Sequence, residues 1–297
     1  MAPKVFEPQK ILVPIDFSQT SMLAIEHGAF MAKLYRADLY LVHVLERSWE
    51  SFSIVAPEIK VEVPSNLEGL IEQKLNNIAN KIRTDYGVSS TIISTTGHIC
   101  TELVELAKNE KCDLIVMGTH GASGLQEFFI GSNAYKVVTK STIPVLTVQS
   151  HIKRIGFSEI LLPIDNTDHS RQKVNHTVAI AKKYGSRVHV YGVLDEDDAE
   201  NLNKFQQKVE TVIDYLKKCD IPYTTKIDVV HNQVKATLSY AKQISCDLIV
   251  IMTDQEENFV GSFLGAYAQQ IVNHSWAPVL SIKPIEHPEN IPWLHPY

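Results

Sequence analysis

Two glycines and a glycine–serine pair stand where a chain could wrap around a phosphate group. Gly118 and Gly121 follow an apolar run that ends at Met117, and Gly131-Ser132 opens a segment with helical spacing. Glycine permits positive φ and lets the backbone approach a ligand closely. The N–H groups of such a loop and of the helix after it can hold an anion, and the Ser132 hydroxyl would add a donor. The pattern indicates a site for a phosphate chain, with a plain connecting loop as the alternative.

The loop does not match the two best-known phosphate motifs. No lysine stands between Gly118 and Gly131, so GxxxxGK[ST] is absent, and no GxGxxG follows the first apolar run of the chain. The predicted strand ends also lack paired carboxylates, a nucleophile with its base and a metal-ligand cluster. The sequence therefore favours a binding protein over an enzyme, with slow hydrolysis of a bound nucleotide as the most we expect.

The chain repeats itself. Residues 10–18, KILVPIDFS, resemble residues 159–167, EILLPIDNT, and residues 112–148 align without a gap with residues 246–282. Fourteen of those 37 aligned positions are identical, far more than chance would give. We therefore expect two related domains, residues 1–150 and residues 151–297, the second ending in a tail.

Apolar runs alternate with segments of helical period in both halves, which predicts strands alternating with helices. The predicted strands of the first half are Lys10–Ile15, Leu39–Leu45, Thr91–Thr95, Asp113–Met117 and Val145–Val148. Those of the second half lie near 160–165, 187–194, 223–229, 247–252 and 278–282. This alternation predicts an α/β fold, a parallel sheet with helices on both faces, and ligands bind such sheets at the carboxyl ends of the strands.

Composition and charge narrow the class of protein. Of the 297 residues, 44% are hydrophobic and 21% charged, which is ordinary globular usage. A net charge of −6 argues against a general partner of nucleic acid or of anionic membranes. No apolar stretch approaches the ~20 residues of a membrane-spanning helix, and the first nine residues do not resemble a signal peptide. Four cysteines without a CxxC pair favour reduced thiols, so we expect a cytoplasmic protein.

The spacing Gly118-x2-Gly121-x9-Gly131-Ser132 resembles the nucleotide-binding signature of the universal stress protein family. VPIDFS at 13–18, His43-Val44 and the ending PVLTV at 144–148 are similar to the same family, and the resemblance covers both halves. It implies two tandem Rossmann-like domains, each a five-stranded parallel sheet of order 3-2-1-4-5, paired through strand five. It also implies an ATP-binding protein of the stress response.

Carried over by position, the resemblance implies an ATP site in the first half. Asp16 would hydrogen-bond the adenosine, and the adenine slot would be lined by Pro14, Ile15, Val44 and Met117. Ribose and phosphates would be surrounded by Gly118, His120, Gly121, Gly131, Ser132 and Asn133. Three alternatives stay open, since Asp16 could cap the first helix, Val44 and Met117 could be ordinary core, and His120 could be an exposed loop histidine. Because the loop lacks a basic residue, we expect Mg²⁺ to offset the phosphate charge.

The second half lacks the glycine loop. The positions of Gly118, His120, Gly121 and Ser132 are taken there by Met252, Asp254, Gln255 and Ala266. Asp254, Glu256 and Glu257 stand where a triphosphate would lie, and like charges about 5 Å apart repel by about 3 kcal/mol at an effective dielectric near 20. We therefore predict one nucleotide per chain, and a structural use for Asp165 as a cap on the helix that follows it.

Other features leave alternatives open. The first half carries an extra stretch, Arg47–Ser65, whose Trp49, Phe52 and Ile54 could cover the nucleotide or pack on the other domain. The strand-five edges are apolar, so we expect them to pair within the chain, and a homodimer through them is equally allowed. The competing function is a scaffold or protein-interaction module that binds no nucleotide.

Overall fold

The computed structural model describes residues 6–46, 66–119, 130–152, 154–167, 169–253 and 264–284. The first half alternates strands with helices as its sequence predicts. Its strands are β1 (Lys10–Pro14), β2 (Asp38–Leu45), β3 (Ser90–Thr96), β4 (Leu114–Gly118) and β5 (Val145–Val148). Its helices are α1 (Gln19–Tyr35), α2 (Leu67–Tyr86), α3 (Ile99–Asn109) and α4 (Ser132–Lys140).

The second half repeats this order. Its strands are β6 (Glu159–Ile164), β7 (Arg187–Asp195), β8 (Tyr223–Val230), β9 (Leu248–Met252) and β10 (Val279–Ile282). Its helices are α5 (Val174–Tyr184), α6 (Leu202–Lys218), α7 (Gln233–Gln243) and α8 (Ala266–His274), with a 3₁₀ turn at Glu196–Asn201 before α6.

All ten strands form one sheet, in the order β3-β2-β1-β4-β5-β10-β9-β6-β7-β8. Each half contributes a parallel sheet of order 3-2-1-4-5, which confirms the predicted fold class. The two halves join where β5 and β10 pair antiparallel, with Thr147 opposite Val279. The apolar edges of the strand-five pair therefore cover each other within the chain. Because β5 and β10 run in opposite directions, the carboxyl end of the first sheet lies beside the amino end of the second.

Two hydrophobic layers enclose the sheet, which explains why the strands read as continuous apolar runs. Ile11 and Leu12 are both fully buried although they point to opposite faces of β1. One layer contains the apolar faces of α1, α2, α5 and α6, and the other those of α3, α4, α7 and α8. Within the residues described here, no helix is long and apolar enough to cross a membrane.

The starts of the two equivalent helices α1 and α5 differ. Ser18 caps α1, because its hydroxyl oxygen accepts the Ser21 N–H at 3.1 Å. The predicted cap on α5 was wrong. Asp165 accepts the Thr167 N–H at 2.8 Å, but α5 begins only at Val174. The described residues 169–173 form turns, so no helix starts where Asp165 could cap it.

Candidate functional site

One pocket opens at the carboxyl ends of β1 and β4, where the strand order of the first half reverses. This is where a parallel sheet of this kind places its ligands. The pocket has a volume of about 160 Å³ and lies between the sheet and the N-terminal turns of α1, α3 and α4. It is lined by Pro14, Ile15, Asp16, Ser21, Val42, Val44, Ile99, Leu103, Met117, Gly118, Thr119, Gly131, Ser132, Asn133 and Ala134.

Nine of the eleven predicted site residues line this pocket. The structure brings together Pro14, Ile15, Asp16, Val44, Met117, Gly118, Gly131, Ser132 and Asn133. The other two, His120 and Gly121, lie outside the described residues, as do Trp49, Phe52 and Ile54 of the extra stretch.

Six lining residues escaped the prediction, and two signals in the sequence could have found three of them. Val42 lies two residues before Val44, so both point to the same face of β2. Ile99 and Leu103 are one turn apart on α3 and therefore share a face. The remaining three, Ser21, Thr119 and Ala134, are placed at the pocket by the packing of helix ends.

Hydrogen bonds to β2 hold the turn after β1, and Asp16 lies in this turn at the pocket rim. The Ile15 N–H donates to the Val42 carbonyl, and His43 Nδ1 donates to the Ile15 carbonyl, both at 2.7 Å. Phe17 adopts a φ of 63°, an uncommon conformation for a non-glycine residue, and its ring lies against His43. Exposed Asp16 accepts the Ser18 N–H through Oδ1, so it braces the turn while Ser18 caps α1. Its second oxygen, Oδ2, remains available to a ligand.

Gly118 is required by the protein's own packing. A Cβ at this position would lie 2.8 Å from Cγ2 of Thr20 and 3.0 Å from the Thr20 backbone carbon. Contacts this short would force the first turn of α1 away from the end of β4. The glycine therefore lets α1 begin directly over the pocket, where Ser21 joins the lining. This internal role stands beside the close ligand approach that the sequence suggested.

The N-terminus of α4 faces the pocket without a side-chain cap. Gly131 is the N-cap residue, with φ −60° and ψ 148°, and its own N–H donates to the Thr119 carbonyl at 2.6 Å. The next three residues, Ser132, Asn133 and Ala134, all line the pocket. The first N–H groups of a helix have no partner within the helix, and the helix dipole adds partial positive charge there. This end of the pocket can therefore hold an anion.

An aromatic side chain replaces a lining valine in the second half. Pro14 of β1 lies opposite Val42, whereas the equivalent Pro163 of β6 lies opposite Tyr191. The Tyr191 side chain is fully buried, its ring lies 4.6 Å from that of Tyr240, and its hydroxyl donates to Asp228 at 2.9 Å. The position that lines the apolar pocket as Val42 in the first half thus carries a buried ring in the second half, with its hydroxyl bonded to the neighbouring strand β8.

Pocket-lining positions on the helices also carry different residues in the second half. Tyr267 and Thr237 stand where the first half has Asn133 and Leu103, and their hydroxyl groups are 3.1 Å apart. Buried Met252 takes the position of Gly118. The acidic residues Asp254, Glu256 and Glu257 lie outside the described residues. Sequence comparison found the lost glycines, but it did not identify the tyrosines at these positions.

Comparison with known proteins identifies the family. The model of the universal stress protein family matches residues 7–149 and again residues 156–283. The chain belongs to the universal stress protein family. This confirms the tandem arrangement that the repeat and the motifs indicated, and it supports a role in the stress response.

Single-domain universal stress proteins are similar to half of this chain. One from Methanocaldococcus jannaschii, MJ0577, is 30% identical over 154 residues, which is 48% of this chain and 94% of that protein. YxiE from Bacillus subtilis is 33% identical over 148 residues, which is 47% of this chain and 98% of that protein. A solved universal stress protein from Archaeoglobus fulgidus is similar over 93% of this chain and 98% of its own, with a TM-score of 0.71 and 18% identity. That last likeness shows the fold.

Proposed function

We propose that the first domain of this universal stress protein, residues 1–150, binds one ATP with Mg²⁺ and that the second domain, residues 151–297, binds none. The observation that carries the proposal is the joining, in one pocket, of an apolar slot and the uncapped N-terminus of α4. In this proposal nucleotide occupancy biases the choice of a protein partner in the cytoplasmic stress response.

The apolar end of the pocket suits a flat base. Four buried side chains line this end: Val42 and Val44 of β2, Met117 of β4 and Leu103 of α3. A ring inserted between them would lose its contact with water on both faces. Asp16 at the rim can accept hydrogen bonds from a ribose hydroxyl or an exocyclic amine through its Oδ2 atom. This arrangement supports recognition of adenosine.

The polar end suits phosphates. The N–H groups of the first turn of α4 and the hydroxyl of Ser132 provide donors, and the helix dipole favours negative charge. No described lysine or arginine lines the pocket, so bound Mg²⁺ would offset part of the phosphate charge. We expect micromolar affinity, about −7 to −8 kcal/mol. Because such contacts are made largely by backbone groups, AMP or a cyclic nucleotide is an alternative ligand.

A matched pair of variants tests the site. Ser132 and Ala266 are equivalent exposed residues, each the first residue of its helix. An aspartate is favourable for helix stability at either position, so both variants should fold. We expect Ser132→Asp to weaken ATP binding at least 30-fold by repelling the phosphates, about 2 kcal/mol, and Ala266→Asp to leave it unchanged. The measurement is calorimetric titration with MgATP, preceded by identification of any nucleotide released on denaturing the purified protein.

A scaffold without a nucleotide is the second candidate. The continuous sheet across β5 and β10 favours it, because this pairing joins the two domains without a ligand. No released nucleotide, together with no heat on titration to millimolar MgATP, would establish the scaffold instead. Two equivalents of bound ATP per chain would contradict the assignment of the second domain.

A further inference from the structure

A single hydrogen bond links the second domain to the phosphate end of the pocket. The Ile130 N–H donates to Oδ1 of Asn273 at 2.9 Å, although the two residues are 143 positions apart in the chain. Ile130 directly precedes Gly131, the N-cap residue of α4. Asn273 is half-buried in the last turn of α8. The end of a second-domain helix therefore contacts the residue from which the phosphate-facing helix begins.

The chain entering α4 is consequently held from two sides. The Gly131 N–H donates to the Thr119 carbonyl at the end of β4, within the first domain. The Ile130 N–H is held by Asn273 of the second domain. Two successive anchored N–H groups fix the backbone direction at this point. The following N–H groups, those of Ser132, Asn133 and Ala134, therefore start from a fixed position at the pocket.

In the part of the chain that the structure describes, this link has no counterpart at the equivalent positions. Thr139 in α4 is the first-domain equivalent of Asn273, and its hydroxyl donates to the Tyr135 carbonyl of its own helix at 2.8 Å. Among the described residues, no hydrogen bond joins the Thr139 side chain to the second domain. The asymmetry follows the pocket, because the helix whose start is held by the other domain is α4, which faces the pocket of the first domain.

We propose that Asn273 is a positioning residue for phosphate binding, through which the second domain sets the nucleotide affinity of the first. This inference rests on the proposed function. Asn273 acts on the start of α4, whereas the apolar slot is built from β1, β2, β4 and α3 of the first domain alone. Loss of the Asn273 side chain should therefore weaken the binding of ligands with a phosphate chain and leave adenosine binding unchanged.

The test compares ATP with adenosine. Asn273→Ala removes the acceptor, and Asn273→Ser keeps a polar group that is too short to reach Ile130. Gln270→Ala on the exposed face of α8 is the matched control, because it removes an amide from the same helix without touching the pocket. MgATP binding is measured by calorimetry and adenosine binding by NMR titration, which reaches millimolar dissociation constants.

We expect both Asn273 variants to bind MgATP about five- to tenfold more weakly, the effect of one lost hydrogen bond, and adenosine within twofold of the wild-type protein. Gln270→Ala should change neither. Unchanged MgATP affinity in Asn273→Ala and Asn273→Ser, or an equal loss for ATP and adenosine, would overturn the positioning role while the proposed function stands. A wild-type protein that binds no MgATP would overturn the proposed function itself.

Discussion

Opposite the proline of the central strand, the first domain carries Val42 and the second carries Tyr191. The backbone register is the same in both, yet one position lines an open pocket and the other carries a buried ring packed on Tyr240. A pocket in this fold is thus a place that side chains leave unfilled. Its loss needs a few substitutions at strand ends and leaves the sheet itself intact.

The glycine positions show a second consequence. Gly118 allows the first turn of α1 to lie over the end of β4, and Thr20 takes the space that a side chain would need. In the second domain Met252 stands at that position, and α5 begins only at Val174, later in the repeat than α1 does. The second domain therefore has neither the glycine at this position nor a helix that starts directly after the first strand.

The largest expected effect is on stability at acid pH, and it comes from a buried histidine that the two domains share. His27 of α1 and His176 of α5 are equivalent residues, and burial lowers the pKa of each to about 4. His27 lies against Phe157, where the second domain begins, and His176 lies against Phe6 of the first domain. Both histidines thus sit where a segment of the other domain packs.

Acid should weaken this packing. The pKa of each histidine is lower in the folded chain than the unfolded value near 6.5, so the folded state binds fewer protons between pH 6.5 and pH 4. The free energy of unfolding is therefore highest above pH 6.5. It falls as the pH falls towards 4, by about 3 kcal/mol for each histidine. Urea unfolding from pH 7 to pH 4 measures it. The double variant His27→Leu/His176→Leu should show a much flatter profile, and an equally steep one would contradict the assignment.

The next-largest effect is expected on ATP affinity, when the first domain is given the residue that the second domain has at an equivalent position. Val42→Tyr puts a ring at a position that lines the apolar slot, and we expect ATP affinity to fall at least 100-fold, or about 3 kcal/mol. Calorimetric titration measures this, with circular dichroism to verify folding.

The reciprocal change is the control for that variant. Tyr191→Val should leave ATP binding in the first domain within twofold, but it should lower the free energy of unfolding by about 3 kcal/mol, because a cavity replaces the ring. Undiminished ATP binding by Val42→Tyr would show that the base does not use this slot.

The smallest effect compares the two helix starts. Ser18→Ala removes the cap of α1 and should cost about 1 kcal/mol of stability. At the equivalent position, Thr167→Ala should cost only a few tenths, because the Thr167 hydroxyl is exposed, donates to Asp165 and caps no helix. Urea denaturation of both variants gives the comparison. Equal losses would mean that the Thr167 hydroxyl contributes as much to its turn as a helix cap does.

Much of the site could be predicted because its residues follow short, local patterns. Asp16 and Ser132 stand next to apolar runs that announce strand ends and helix starts, so their meeting at one edge follows from a parallel sheet. Ser21, Thr119 and Ala134 were missed because helix packing, rather than any pattern around them, brings them to the pocket. The cap expected from Asp165 failed for a related reason, since the sequence motif survives in the second domain while the helix it would cap begins later.

The sequence by itself determined the duplication, the alternation of strands and helices, the strand-end glycines and the family. Each of these features can be recognised from the pattern of neighbouring residues or by comparing one segment of the chain with another. Tertiary structure alone decided that Tyr191 packs on Tyr240, that Thr20 requires Gly118, and that Asn273 holds Ile130. These depend on contacts between residues far apart in the chain, whose distances are fixed only when both layers of helices pack on the common sheet.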